Sequence, residues 1–241
     1  MANPNKPYGK IYMLPCPISE GNPYDVLPEA NRAVMAQIDY FVVENVRSAR
    51  RFLSAAKIGR PIEELEFAEC NEHTSQMDIE PLLKPVLEGR DCGIISEAGL
   101  PGVADPGADV VALAQRKGIE VVPLVGPSSI LMALMASGQN GQSFAFNGYL
   151  PVKPAERAKA LKMFERRALS ERQSQIFIEA PYRNDKLFAD MLAVLAPAVR
   201  LTVAVDITSP EQSIRTLSIA EWKRLAKPDM HKKPTIFIIG V

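Results

Sequence analysis

The sequence is poor in the residues that build metal and redox sites. Its three cysteines, Cys16, Cys70 and Cys92, lie far apart without C-x-x-C spacing. An odd, scattered set of this kind argues against a disulfide framework or a zinc knuckle. The two histidines, His73 and His231, cannot form H-E-x-x-H, and no metal site is expected. Long apolar runs are missing too. The stretch Ile130–Ala136 falls well short of the ~20 residues that span a bilayer, so no membrane segment is expected. The start, MANPNKPYGK, has no signal-peptide core, and the expected home is the reducing cytoplasm. Net charge is also lacking: 28 basic residues balance 28 acidic ones. No global field announces a polyanionic partner, although a local basic patch can serve that purpose.

Three common catalytic signatures are absent as well. Gly102 to Gly107 has the spacing of a P-loop, but Ala108 and Asp109 follow where Lys and Ser or Thr would hold phosphate and magnesium. No G-x-G-x-x-G follows a strand and no G-x-S-x-G occurs. Phosphoryl transfer, hydride transfer on a standard dinucleotide fold and serine hydrolysis all lose support.

What the chain does have is proline, 20 residues of it, and an alternation of strands with helices. Lys10–Leu14, Tyr40–Val43, Cys92–Ile95 and Glu120–Val125 read as strands, with helices over Arg47–Lys57, Ile79–Glu88 and Ala108–Lys117. Asp105 can cap the last of these, Pro106 suits its first turn and Gly118 stops it. This alternation predicts a mainly parallel sheet covered on both faces. The polar, glycine-rich Ser137–Gln142 reads as a linker, giving α/β domains over residues 1–140 and 141–241. The second holds strands at Phe144–Tyr149, Gln175–Glu179, Leu201–Val205 and Thr235–Ile239, and helices over Lys186–Leu195 and Ala220–Ala226. Prolines cluster where strands give way to loops (Pro15, Pro17, Pro101, Pro106, Pro127, Pro151, Pro181). Proline cannot continue a central ladder, so these loops are stiff and shaped in advance. Strand-end loops are where α/β proteins bind ligands.

Two junctions concentrate these features. In Ile94-Ile95-Ser96-Glu97-Ala98-Gly99-Leu100-Pro101-Gly102-Val103-Ala104-Asp105-Pro106-Gly107, a buried strand runs into small residues, glycines and prolines before a capped helix. Glycines let a ligand lie against bare backbone. In Val125-Gly126-Pro127-Ser128-Ser129-Ile130, Ser128 or Ser129 can cap a helix whose free N–H groups face the strand end. Taken singly, a tight connector and an ordinary serine cap account for them.

Together, and with Cys16-Pro17-Ile18 after the first strand, they resemble the tetrapyrrole methylase family of S-adenosylmethionine-dependent methyltransferases. The likeness is nearest to the branch that methylates a cytidine ribose 2′-oxygen in small-subunit ribosomal RNA. That branch carries T-P-I-G-N, E-D-T-R, S-D-A-G-T-P…D-P-G and P-G-P-S segments. This chain has Cys16-Pro17-Ile18, Glu44-Asn45-Val46-Arg47, Ser96-Glu97-Ala98-Gly99-Leu100-Pro101…Asp105-Pro106-Gly107 and Gly126-Pro127-Ser128. Further on, Phe146-Asn147-Gly148-Tyr149-Leu150-Pro151 is similar to E-G-F-L-P, and Glu179-Ala180-Pro181-Tyr182-Arg183 to E-S-P-H-R. The order holds from about residue 10 to 240.

The resemblance implies two α/β domains with S-adenosylmethionine in the cleft between them, and a homodimer. Carried over, it implies donor contacts from Cys16, Pro17, Leu100, Val103, Ser128 and Ser129, and from Glu179, Ala180, Val205, Asp206 and Pro234. Methyl transfer needs in-line alignment more than covalent help, which fits the absence of a triad. A ribose hydroxyl would need help to lose its proton, and Glu44, Arg47 and Glu97 are the catalytic candidates, with Arg183 and Asp206 in matching segments. The chain departs from the pattern at Asn45, Val46, Glu97 and Leu100, and in Ala204-Val205-Asp206-Ile207-Thr208-Ser209, where the branch has A-R-E-L-T-K. The donor side is retained and the acceptor side rewritten. Methylation of a tetrapyrrole or other small molecule, or donor binding without catalysis, are the alternatives. Lys153, Arg157, Lys159, Lys162, Arg166, Arg167 and Arg172 on one helix and its exit, and Arg47, Arg50 and Arg51 on another, could track RNA phosphates; a solvated helix face explains the same charges.

Overall fold

The computed structural model describes residues 7–241. The first six, which carry part of the expectation of no export signal, lie outside it. The chain divides into two compact units between Ser128 and Ser129.

The first unit alternates strand and helix as its apolar runs dictate: β1 (Ile11–Leu14), α1 (Ala30–Met35), β2 (Tyr40–Val43), α2 (Val46–Ala55), β3 (Glu66–Glu69), α3 (Gln76–Leu82), α4 (Lys84–Leu87), β4 (Cys92–Ile95), α5 (Gly107–Lys117) and β5 (Val121–Pro123). The strands form one parallel sheet in the order β3-β2-β4-β1-β5. The central strands β2 and β4 are buried at every position, as continuous apolar runs in a doubly covered sheet should be. One face packs Val42 and Ile94 against Ile79, Leu83 and Val110; the other packs Phe41 and Ile95 against Met35, Ala49 and Leu53. Gly93 is fixed by this packing, since a Cβ there would lie 2.6 Å from Leu14 Cδ1 and 2.7 Å from Phe41 Cδ1.

Three features differ from the sequence reading, the short helix α1 being the first. The helix expected over Ile79–Glu88 is two, broken at Leu83, because Pro85 has no N–H to donate to the turn before it. The edge strand β3, Glu-Phe-Ala-Glu, was not expected. Its exposed glutamates hide the apolar signal, and charge is the usual protection of a sheet edge.

The second unit comprises α6 (Ser129–Ser137), β6 (Phe144–Tyr149), α7 (Pro154–Glu171), β7 (Ser174–Ile178), α8 (Asn184–Val194), β8 (Arg200–Val205), β9 (Ser213–Ser218), α9 (Ile219–Trp222) and β10 (Thr235–Gly240). Its sheet runs β6-β7-β10-β8-β9, parallel at β6/β7 and antiparallel elsewhere. Strand β9, a polar edge, was also unforeseen. The apolar α6 packs Ala133 and Leu134 on one sheet face with Ile176, Ala204, Ile236 and Ile238. The other face carries α7 to α9, with Leu161, Leu187, Phe188, Met191 and Trp222 around Phe177 and Phe237. The polar stretch after α6 is tied to this sheet. Gln139 Nε2 donates to Thr202 Oγ1 (2.8 Å) and the Ile238 carbonyl (3.1 Å), and Thr216 Oγ1 donates to the Ser137 carbonyl (2.8 Å).

Candidate active site

In the first unit, the loops after β1, β4 and β5 lock together at the carboxyl ends of the parallel strands. Cys16 N donates to the Gly99 carbonyl at 2.8 Å, and Gly99 N donates back to Cys16 O at 3.2 Å. The Cys16 thiol donates to the Ser96 carbonyl at 3.4 Å. It is buried, which pushes its pKa up to about 12, so this cysteine is a packing residue and not a nucleophile. Gly99 has φ +71°, and a Cβ there would sit 3.5 Å from the Pro127 carbonyl; at Gly126 a Cβ would come within 2.1 Å of Pro15 Cβ. Where the three loops meet, lack of space therefore requires glycine at position 126, and the left-handed backbone favours it at 99.

Asp105 organises the long loop. Its Oδ1 accepts from Gly102 N (2.8 Å) and from Gly107 N (2.9 Å), the first residue of α5. The expected cap is thus present, and the same oxygen also closes the preceding Leu100–Asp105 bend, where Val103 N donates to the Leu100 carbonyl (3.3 Å). Val103 is left exposed. At the other end α5 stops on Gly118, left-handed at φ 70°.

The catalytic candidates are brought together in part. Glu44 Oε2 accepts from Glu97 N at 3.2 Å, and Ser48 Oγ approaches Glu97 Oε1 at 3.4 Å. The Glu44 carboxyl is held above the usual glutamate range, first by burial and further by the nearby Asp105 and Glu97 carboxylates, against the hydrogen bond from Glu97 N. Asn45 Oδ1 accepts from Ser48 N (3.0 Å) and caps α2, a structural use for a residue that departs from the family pattern. Arg47 stands exposed on α2. A cavity of about 450 Å³ opens beside these groups, with Cys16, Pro17, Ser48, Arg51, Phe52 and Glu97 among its lining residues. Arg51 belongs to the basic cluster legible in the sequence, whereas Asp105 is legible there only as a helix cap, through its Asp-Pro-Gly signature, and Ser48 carries no signal.

In the second unit, sheet register aligns the other candidates. β10 pairs Ile236 with Ile178 of β7 and Thr235 with Val205 of β8, and Asp206 N donates to the Pro234 carbonyl at 2.8 Å. Glu179–Ala180, Pro234 and Val205–Asp206 therefore lie in one row across three adjacent strands. Asp206 turns away at φ 52°. Glu179 is buried; its Oε1 accepts from Ala180 N (2.7 Å) and from Arg183 Nε (2.9 Å) and Nη2 (2.6 Å). Its Oε2 is buried with no hydrogen-bond partner among the described residues. Among the same residues, no cluster of metal-binding side chains occurs and no helix is long and apolar enough to cross a membrane.

One sequence expectation fails. Arg157 is not a surface cation: it is 1% exposed, and its guanidinium donates to Asp190 Oδ2 (2.6 Å) and to the Pro151 (2.9 Å) and Val152 (2.5 Å) carbonyls. Its place in the first turn of α7 puts it over the incoming loop, whose Pro151 and Val152 carbonyls it ties to the helix.

Comparison with known proteins follows the same lines. No protein-family model matches the chain. It is 32% identical to the ribosomal RNA small subunit methyltransferase I of Vibrio cholerae over 232 residues, which is 95% of this chain and 76% of that protein. The enzymes of the same name from Pseudomonas aeruginosa (32%, 88% of this chain and 71% of the relative) and Escherichia coli O157:H7 (31%, 93% and 74%) are similar. Among solved structures, the methyltransferase CobJ aligns with a TM-score of 0.63 at 19% identity, covering 96% of this chain and 94% of that one. The uroporphyrin-III C-methyltransferase of Thermus thermophilus complexed with S-adenyl homocysteine aligns at 0.54 and 16%, covering 96% and 97%. The two-sheet α/β fold is thus that of the tetrapyrrole methylases, and by sequence the chain belongs to the ribosomal RNA small subunit methyltransferase I family.

Proposed function

We propose that this protein transfers a methyl group from S-adenosylmethionine to a ribose 2′-hydroxyl of small-subunit ribosomal RNA. The observation that carries the reading is the 32% identity over 95% of the chain to a relative named for that RNA. The tetrapyrrole methylases share only the fold, at 12–19% identity.

The residues fit the donor. Gly102, half-buried at positive φ, offers bare backbone, and exposed Val103 offers an apolar surface beside it. In the second unit, the unpartnered Glu179 Oε2 is an acceptor awaiting a donor group. When bound, S-adenosylmethionine supplies an electrophilic methyl carbon on a sulfonium. Cys16, Pro17, Leu100, Val103 and Ser128 of the first unit, and Ser129, Glu179, Ala180, Val205, Asp206 and Pro234 of the second, hold it in this reading. The proline-stiffened loops are shaped before binding, so little ordering entropy is lost. Alignment of acceptor and methyl carbon contributes up to roughly 7–11 kcal/mol to the rate.

On the acceptor side, Glu97 takes the hydroxyl proton. Its carboxylate is exposed on the wall of the 450 Å³ cavity, whereas Glu44 is spent on fixing Glu97 through the backbone and acts as a positioning residue. Arg47 and Arg51, one turn apart on α2, attract the RNA phosphate. The protein works in the cytoplasm, where its three free, buried thiols stay reduced, and as a homodimer, as the family likeness implies.

The test is to incubate the protein with methyl-labelled donor and small ribosomal subunits lacking their normal modification. Label in RNA ribose is expected. Label only in a tetrapyrrole, or tight donor binding with no transfer to any acceptor, would overturn the assignment.

A further inference from the structure

The fold sorts the cations of α7 into two sets. Arg157 is consumed inside the second unit, and Lys162 is paired with Glu165 at 2.7 Å. Lys159 and Arg166, by contrast, are exposed, and no ion pair or hydrogen bond holds either side chain among the described residues. With Lys162 and Met163 they occupy positions i, i+3, i+4 and i+7, one face of the helix. Lys159 and Arg166 are seven residues apart, so about 10 Å separates them along the axis at 1.5 Å per residue.

This face borders two shallow hollows. One, of about 610 Å³, is lined by Lys159, Lys162, Met163, Arg166 and the α8 residues Ala193 and Val194. The other, of about 600 Å³, continues along α7 past Arg166 to Leu169 and Ser170. The first has three cations and no carboxylate on its wall. In the second, Glu165 is buried and already accepts from Ala196 N (2.5 Å) and Lys162. Lys162 apart, the surface therefore carries two cations, Lys159 and Arg166, that no carboxylate pairs, in a chain whose total charge is zero. Its apolar floor of Met163, Ala193 and Val194 supports the aliphatic stems of the cations and leaves their charged ends outward. A partner that pairs with such a ridge must present regularly spaced negative charge, and a nucleic-acid backbone does so.

We infer that the Lys159–Arg166 face of α7, with the α8 hollow beside it, is a docking surface for the phosphate backbone of the RNA that this protein modifies. This rests on the proposed function and adds to it a contact surface in the second unit, apart from the acceptor-side groups on α2. These cations position RNA without reading its sequence.

The test compares full-length K159E/R166E with the wild type and with K223E/R224E, an equal charge change at exposed residues near α9. Affinity for small-subunit RNA is measured across a salt titration, alongside donor affinity and unfolding temperature. K159E/R166E is expected to keep donor affinity and unfolding temperature, bind RNA at least about tenfold more weakly, and lower the salt slope by roughly two, about one for each cation lost. K223E/R224E keeps the slope. An unchanged slope in K159E/R166E would overturn the inference. So would loss of affinity confined to assembled subunits with naked RNA binding intact, since that face would then meet ribosomal protein. Failure of the wild type to bind or methylate the RNA at all is a different result and would remove the proposed function itself.

Discussion

Cys16 and Gly99, 83 positions apart in the chain, exchange two backbone hydrogen bonds of 2.8 and 3.2 Å and so join the loops after β1 and β4. Neither side chain makes the connection. What matters is that Cys16 continues extended beyond β1 and that Gly99 accepts a left-handed conformation, φ +71°. Gly99→Ala should lower stability by about 1–2 kcal/mol, the cost of a side chain in that conformation. It should also weaken donor binding, because the pinned loops move apart. Denaturant unfolding together with titration calorimetry checks both; full donor affinity in a stable variant would show that the pin is not part of the donor site.

The Arg157–Asp190 pair predicts a different phenotype. Arg157→Ala leaves the buried guanidinium's partners, Asp190 (31% exposed) and two loop carbonyls, without their donor, and should cost about 1–3 kcal/mol. RNA affinity measured below the unfolding transition should keep the wild-type salt slope, because this cation never reaches the surface. A lowered slope with unchanged stability would contradict the buried assignment.

Glu44 gives a pH signature. Its folded-state pKa is raised, chiefly by burial, so the folded protein holds this proton more tightly than the unfolded chain does. The stabilisation is present below the ordinary glutamate pKa and is lost as pH rises through the raised one. Glu44→Gln should therefore unfold at a higher temperature than the wild type at neutral pH, with the gap closing in mild acid. Melting curves across that range provide the check. A gap that widens towards acid would reverse the argument.

Glu179 and Arg183 lie four residues apart across the turn that follows β7, with Oε1 and Nη2 at 2.6 Å. Glu179→Ala removes the acceptor for Ala180 N as well as for the guanidinium and releases the turn that follows β7. Donor affinity should fall by roughly tenfold or more, about 1.4 kcal/mol per decade. Binding equal to the wild type would remove Glu179–Ala180 from the donor site.

The three cysteines are free and buried. Burial pushes Cys16 and Cys92 up to about 12 and raises Cys70 as well. A thiol reagent should find no rapidly reacting group in the native protein and three after denaturation. One fast thiol in the native state would mean that one of these strand-end loops opens readily.

Much of this architecture is legible in one dimension. Strands β2, β4 and β6 fall on the residues expected, because dense Ile, Val, Phe and Tyr runs between turn residues leave few alternatives. The edge strands β3 and β9 lack that signal for the opposite reason: Glu-Phe-Ala-Glu has a glutamate at each end and Ser-Ile-Arg-Thr-Leu-Ser has only two apolar residues, as sheet edges often do. Asp105 was readable as a helix cap but not as the acceptor that also closes the loop through Gly102. That second bond depends on how the glycines between them bend the chain.

The sequence by itself determined the order of strands and loops, the proline-stiffened turns at strand ends and, through motifs in fixed order, the family. These are properties of neighbours along the chain. Only the tertiary structure decided that Arg157 is internal while Lys159 and Arg166 are not, that Glu44 lies against Glu97 and Asp105, and that Glu179, Pro234 and Asp206 share one row. Each depends on register between strands, or on contact between helices, that are distant in sequence. Such pairings are set by the packing of the whole sheet and leave no local mark on any of the segments they join.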